Sequence, residues 1–336
     1  MQFPARIEAN IPSDTLQLSV VIATCNRNEQ LAQALDSLSH QSIDLKSFEV
    51  IVVDNGSSDS TEAVVQSYLE KHSHWRYIRE PKPGAAAARN TGVRECRSRI
   101  VLFLDDDIVG DPELIEQHLK SHQESPAAAV LGGVRFPWKG NESPFFWCLN
   151  RHPELYQSFQ FSDPQNVPFQ YFYTCNISLS RSFFDQANGF DESFTASGFE
   201  DTDLGYRFVN AGFRIVFNKK ASALHNVRTT FRQFSQKRYA SGQWARHFIG
   251  KYPEVRAVFF GLSPFKTKIS SLIGFLATPF TWVFDLAEGT VNRRRLPVLG
   301  ILCWHHLQYR FRTGYRANSP PPAAYLQKQS AINSMK

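Results

Sequence analysis

Five apolar residues, Ile100-Val101-Leu102-Phe103-Leu104, run without a break into Asp105-Asp106-Asp107. An uninterrupted apolar run of this length reads as a parallel strand buried on both faces, which places the chain among α/β proteins. In an open α/β sheet ligands bind beyond the carboxyl ends of the strands, where these three carboxylates stand. Adjacent carboxylates repel one another unless solvent or a cation relieves them, and hard oxygen ligands suit Mg²⁺ or Mn²⁺. The structural alternative is a solvated acidic turn ahead of a helix, and Asp111-Pro112-Glu113 is a helix start signal. That signal leaves the three upstream Asp residues unused.

The same pattern occurs around this strand. Residues 18–23 are apolar and end in Thr24-Cys25-Asn26-Arg27, after which Leu31, Leu35 and Leu38 recur at helical spacing. Residues 48–53 end in Asp54-Asn55-Gly56-Ser57-Ser58-Asp59, and the spacing from Asp59 to Glu62 resembles a capping box. A weaker strand over 75–78 precedes Gly84, which opens a helix carrying Arg89 and Asn90. Strand alternating with helix in this way implies a mostly parallel sheet, Rossmann-like, flanked by helices and wound with right-handed crossovers. Residues 136–170 lose the rhythm and read as irregular surface built over a site. Order resumes with a strand inside 171–179. Glu200-Asp201-Thr202-Asp203 then leads a helix stopped by Gly212, a short strand covers 213–217, and His225 lies beyond it.

Charge divides the chain. Residues 1–218 carry 18 Lys and Arg against 28 Asp and Glu, whereas residues 219–336 carry 19 against 3. Residues 269–287 hold only one charge, Asp285, and at about 1.5 Å per residue the run is just long enough to cross a bilayer. Pro279 breaks that run, and Arg293-Arg294-Arg295 and the apolar residues 296–304 follow it. Apolar segments bracketed by Arg suit shallow insertion at a cytoplasmic membrane face; the alternative is helices packed on the protein's own core. No nucleic-acid reader motif accompanies the positive charge, so nucleic acid is not an expected partner. Five scattered Cys, none in a C-x-x-C pair, speak for a reducing compartment and against a disulfide framework or zinc site. No export signal is visible near the first residue.

Asp54, Arg89 and the Asp105–Asp107 group all fall on one rim of the expected sheet. An ionised carboxylate only accepts hydrogen bonds, so Asp54 can take the N3–H of uracil or thymine and repels the acceptor N3 of cytosine. A guanidinium at Arg89 can reach phosphate or base oxygens, and a divalent ion neutralises a diphosphate. Taken singly, each residue is more often a turn cap or a solvated charge; their placement at successive strand ends favours a nucleotide site.

These stretches, Val20 through Arg27, Val52 through Thr61, Gly84 through Gly92, Leu102 through Asp107 and Gly198 through Leu204, resemble the family 2 glycosyltransferases over roughly residues 18–226. The resemblance implies a GT-A type fold, a nucleotide-sugar donor (usually a UDP-sugar), Mn²⁺ or Mg²⁺, and inversion at the anomeric carbon. It implies that Asp54 holds the base, that Asp105 and Asp107 form the D-x-D pair, and that Asp201 is the catalytic base, with Glu200 as its rival. Thr24 and Arg89 would line the nucleotide pocket together with Arg27 and Asp106. His225 is either a third metal ligand beside Asp107 and Asp105 or an ordinary polar residue. Asp203 suits the first turn of its helix on structural grounds.

A domain division follows: an N-terminal arm 1–17, a glycosyltransferase domain 18–226 (nucleotide-sugar half 18–130, acceptor half 131–226), a basic helical membrane-associating region 227–316, and a flexible tail 317–336. Processive relatives carry Gln-x-x-Arg-Trp; here Gln243-Trp244-Ala245-Arg246 has these residues in another order, so transfer of single sugars is expected. The acceptor expected is a glycan or lipid-linked oligosaccharide, with the protein cytoplasmic and peripheral on the inner face of the plasma membrane. A sugar-1-phosphate nucleotidyltransferase would carry a Gly-rich loop after the first strand, which Thr24-Cys25-Asn26-Arg27-Asn28-Glu29 lacks. A non-catalytic glycan-binding protein would not need the base.

Overall fold

A computed structural model describes residues 16–137, 143–152, 161–195, 198–226, 229–261, 264–285 and 296–317. The expectations for Arg293-Arg294-Arg295, for most of the arm and for most of the tail lie outside these residues. The described chain divides into two compact units, one built from residues up to Arg135 and from Gln160–Asn226, the other from Phe136–Phe159 and Val227–Pro322.

In the first unit, β1 (Leu18–Thr24), α1 (Asn28–Ser39), β2 (Phe48–Asp54), α2 (Thr61–Leu69), β3 (Arg76–Arg79), α3 (Ala85–Glu95) and β4 (Ile100–Asp105) alternate as the apolar runs predict. β3, β2, β1 and β4 pair in parallel. Their register sets Thr24 beside Asp54 and Ala23 beside Asp105, so three strands end on one line. β1 and β2 are almost wholly buried, as strands covered on both faces must be. The Asp59-to-Glu62 capping box does not form; instead Asp59 Oδ1 accepts from the Thr61 amide at 3.0 Å and α2 starts there.

After β4 come β5 (Ile108–Gly110), α4 (Leu114–Glu124) and β6 (Ala128–Arg135). α5 (Pro144–Arg151) belongs to the second unit; β7 (Asn176–Ser180), α6 (Arg181–Gln186), α7 (Glu200–Asn210) and β8 (Arg214–His225) complete the first. The eight strands form one sheet in the order β3-β2-β1-β4-β7-β6-β8-β5, in which β7 runs antiparallel to β4 and β6, and β5 antiparallel to β8.

β8 is twelve residues long rather than the short strand expected. Lys219 and Lys220 interrupt its apolar pattern where the register with β6 jumps between Gly132 and Gly133. A Cβ on Gly132 would stand 2.2 Å from Asn176 Nδ2 and one on Gly133 2.8 Å from the Lys219 carbonyl, so this bulge requires two glycines. Beyond it the strand resumes and ends with His225 paired to Ile108, one residue after the acidic cluster.

The second unit is helical: α5, α8 (Phe231–Lys251), α9 (Arg256–Phe260), α10 (Pro264–Leu276), a 3₁₀ turn over Thr278–Asp285, and α11 (Leu296–Arg316). α8 opens with a Thr230–Gln233 capping box. Phe145, Cys148 and Leu149 of α5 share a core with Phe231, Phe234, Phe284, Cys303 and Leu307. Part of the region read as irregular surface is thus a helix seated in this core. No described helix is long and apolar enough to cross a membrane, since the run from residue 269 is split into α10 and the 3₁₀ turn ahead of Pro279. Some of the positive charge is spent on packing, with Arg238 4.6 Å from the ring centre of Phe311 and Arg310 4.7 Å from that of Tyr239.

Candidate active site at the strand ends

The acidic cluster sits between two structural clamps. Asp105 ends β4, and its Oδ1 accepts from Arg89 Nη2 at 3.0 Å. The other branch of the same guanidinium donates to Glu200 Oε1 at 2.9 Å, so Arg89 joins the end of β4 to the start of α7. On the opposite side Arg27 reaches Asp106 Oδ1 at 2.9 Å and Asp107 Oδ2 at 2.5 Å. Thr24 Oγ1 adds a 2.8 Å bond to Asp106 Oδ2. Thr24, Arg27 and Asp106 therefore brace one another, and Asp106 is buried among them. Burial, with Asp107 beside it, pushes its carboxyl up to about 6 against the pull of Arg27.

Asp107 behaves in the opposite way. Burial alone would raise its pKa, but His225 and Arg27 overcome burial and hold it far below the usual carboxylate range. His225 Nε2 stands 3.0 Å from Asp107 Oδ1. That oxygen is buried and receives no hydrogen bond of acceptable geometry among the described residues. A buried carboxylate oxygen and an imidazole nitrogen side by side, both within reach of Asp105, are placed as co-ligands of an ion are. Asp105, Asp107 and His225 each offer one ligand atom, all within 4.8 Å of one another. Two carboxylates and an imidazole suit Mn²⁺ or Mg²⁺, with positions left over for a ligand's phosphates. The residues fit the ion.

Asp54 ends β2 and is buried. Its Oδ1 accepts from the Ser57 amide at 2.7 Å and its Oδ2 from the Tyr77 hydroxyl at 2.5 Å. Arg79 Nε approaches Oδ2 at 3.7 Å. Desolvation and Asp54 itself push the Tyr77 phenol well above its ordinary pKa, so it remains a donor. Each carboxylate oxygen can accept a second bond, which leaves Asp54 oriented but still able to take a base N–H. Sequence reasoning missed Tyr77 and Arg79 because β3 looked weak. The available signal was alternation: Arg79 pairs with Asp54, and Tyr77, two residues earlier, points to the same side of the sheet.

Asp201 and Glu200 separate by partner. Glu200 is buried, and besides Arg89 it accepts from the Gly198 amide at 2.6 Å. Asp201 is partly exposed, and its Oδ1 takes the Thr202 amide at 2.7 Å. Desolvation, then the adjacent Glu200, push Asp201 up to about 7, with Arg89 acting in the other direction. A carboxylate with that affinity for a proton can take one from a hydroxyl near neutral pH. Phe199, ahead of this pair, is held in the left-handed region at φ 78°, ψ −7°, a costly conformation for a bulky residue that aims the first turn of α7. Asp203 is fully buried and pairs with Arg207 at 2.7 Å, a structural role within the helix. The loops are tied by two asparagines: Asn55 accepts from the Gly84 amide at 2.7 Å, and Asn90 donates to the Phe190 carbonyl at 2.9 Å.

Comparison with known proteins follows the same lines. The profile of glycosyl transferase family 2 matches residues 19–186, half of the chain, and that of the N-terminal domain of galactosyltransferase matches residues 156–232. Validoxylamine A glucosyltransferase of Streptomyces hygroscopicus subsp. jinggangensis is 30% identical over 61% of this chain and 54% of its own length. Chondroitin synthase of Escherichia coli is 27% identical over 62% of this chain and 34% of its own. The chain thus spans about half the length of the first of these relatives and a third of the second. Among solved structures, a mannosyltransferase from Pyrobaculum calidifontis in complex with GDP-Man and Mn²⁺ superposes with a TM-score of 0.55 at 19% identity, covering 95% of this chain and 81% of that one. TarS 1-349 of S. aureus in complex with UDP-GlcNAc gives 0.53 at 15%, covering 90% and 92%. At these identities the likeness concerns the fold, which is of the GT-A type.

Proposed function

Since this chain belongs to glycosyl transferase family 2, we propose that it is a metal-dependent inverting enzyme that moves one sugar from a UDP-sugar to a hydroxyl of a glycan or lipid-linked acceptor. Carrying this reading is the convergence of Asp54, the Asp105–Asp107–His225 group and Asp201 around one rim of one sheet, linked through the Arg89 bridge. Asp54, held by Ser57 and Tyr77, accepts the N3–H of the uracil. Asp105, Asp107 and His225 hold Mn²⁺ or Mg²⁺, which supplies positive charge against the diphosphate of the donor. Asp201 takes the acceptor proton as the hydroxyl attacks, and one in-line displacement inverts the anomeric carbon. Arg89 and Glu200 set the position of that base rather than serve as it, because both of their charges are consumed in the bridge.

The raised affinity of Asp201 for a proton favours catalysis over binding alone, since a carbohydrate-binding protein gains nothing from a carboxylate tuned near neutrality. We place the reaction at the cytoplasmic face of a membrane, on a lipid-linked glycan of surface polysaccharide or glycolipid synthesis. The testing experiment is a panel of UDP-, GDP-, CDP- and dTDP-sugars scored by nucleotide release with and without Mn²⁺. Release from a UDP-sugar that chelator abolishes is the expected result; release from a CDP-sugar alone, or release indifferent to chelator, overturns the donor or the metal assignment.

A further inference from the structure

The second unit turns hydrocarbon outward. Ser270 and Gly274 of α10 and Ala277 just after it are buried, and a Cβ on Gly274 would meet the His305 carbonyl at 2.3 Å, so this side lies against α11. The other side carries Ile269, Leu272, Phe275 and Leu276, the last two 56% and 60% exposed. Phe280 and Trp282 in the following turn are 61% and 67% exposed, and Val298 and Ile301 of α11 are exposed as well. A helix beside solvent ordinarily presents polar residues outward. Here residues 269–284 contain no charged side chain. Single exposed apolar residues are normal, but a run of them along consecutive elements marks a surface that something covers.

Charge selects what covers it. Lys266 and Lys268 are exposed at the start of α10, and residues 219–336 carry 19 basic against 3 acidic side chains. A second copy of this surface would bring like charge against like charge, whereas anionic headgroups complement it. Exposed Phe275, Phe280 and Trp282, on elements that follow the two lysines in the chain, give this segment the amphipathic make-up of the membrane interface. Length settles the mode: the 13 residues of α10 span about 20 Å, short of the ~30 Å of a hydrocarbon core. We propose that the outward face of α10 and the turn after it forms a shallow insertion surface for an anionic bilayer, on which the protein lies without crossing. The proposal deepens the reading of a membrane-borne acceptor, but its test does not need turnover.

The full chain is sedimented with sucrose-loaded vesicles of phosphatidylcholine containing ~30 mol % phosphatidylglycerol, and with vesicles of phosphatidylcholine alone. Binding is expected to the anionic vesicles, several-fold weaker to the neutral ones, and reduced at high salt. The triple variant Leu272→Gln, Phe280→Gln, Trp282→Gln is expected to lose at least about tenfold in partitioning, because it removes three side chains from hydrocarbon. Its UDP-sugar hydrolysis should remain as in the wild type. Brominated phosphatidylcholine should quench part of the tryptophan fluorescence, and Trp282→Phe should remove that part while leaving binding in place. Wild-type failure to bind anionic vesicles overturns the proposal. So does undiminished binding by the triple variant, or a wild-type dimer that the triple variant converts to monomer. Loss of hydrolysis with vesicle binding intact counts against the enzymatic reading alone.

Discussion

The strand-end rim and the face of α10 break the ordinary rules of burial in opposite directions. At the rim, charge is buried: Asp54, Arg89, Asp106, Asp107 and Glu200 are all nearly inaccessible. On α10 and the turn after it, hydrocarbon is exposed: Leu272, Leu276, Phe280 and Trp282 are all more than half accessible. Each arrangement is unfavourable for a chain considered alone, the first through desolvation and the second through hydrated apolar area. The rim limits its penalty internally, because Arg89 and Arg27 each serve two carboxylates. The helical face has no such internal remedy. Buried charge that is paired can be tuned for chemistry; exposed hydrocarbon can only be covered.

That contrast can be broken most strongly at Asp201. Asp201→Asn should lower kcat by about 10²–10⁴-fold, the range of general-base catalysis, with donor binding by calorimetry unchanged. Near wild-type turnover would move the base elsewhere on the rim. Next is core against surface in the helical unit. Phe284, buried 4.8 Å from the ring of Phe231, should destabilise the fold by about 3–5 kcal/mol on Phe284→Ala. Trp282→Ala, two residues away, should change denaturant stability by less than about 0.5 kcal/mol. Equal effects would mean that Trp282 is not a surface residue. The pH dependence follows in size. With the Asp201 pKa raised to about 7, the base is deprotonated above that pH and protonated below it. Activity should therefore rise with pH and fall about tenfold per unit below neutrality; Asp201→Glu should displace this limb, and a limb left unmoved by that substitution would assign the base elsewhere. The smallest effect is expected at Tyr77. Tyr77→Phe removes one bond to the Asp54 carboxylate and should raise the donor KM by about tenfold with little change in kcat, as fits an orienting group. A kcat effect of that size instead would tie Tyr77 to the chemistry.

Much of the rim could be read from residue order, because a buried parallel strand announces itself by an apolar run and the residue that ends it stands at the ligand-binding edge. Asp54, Asp105 and the crossovers between them follow from that rule. Tyr77 did not, since β3 is short and half polar, and its meaning depends on its register with β2. His225 ends a strand, where the sequence pattern sets it beyond one; the lysines of the bulge hide the continuation, which depends on Gly132 and Gly133 meeting Asn176 and Lys219. The helix α5 is not legible in the sequence because its eight residues are too few for a clear period, and its core partners lie some eighty or more residues further on.

Sequence by itself determined the kind of protein this is: which strands are buried, where carboxylates collect, and that the last third is basic and apolar by turns. These are local properties, carried by periodicity and by the residue that follows each run. Tertiary structure decided which of those carboxylates do what. Asp106 and Asp107 are neighbours of the same residue type, yet one is driven toward its proton and the other held away from it, because one faces Thr24 and Arg27 in a buried pocket and the other also meets His225 across the sheet. Glu200 and Asp201 are also neighbours, and they divide by partner: Glu200 takes up Arg89, whereas Asp201 is pushed up by desolvation and by Glu200. Affinity for a proton is set by the charges and dipoles within a few ångströms, and in this fold most of those arrive from distant parts of the chain.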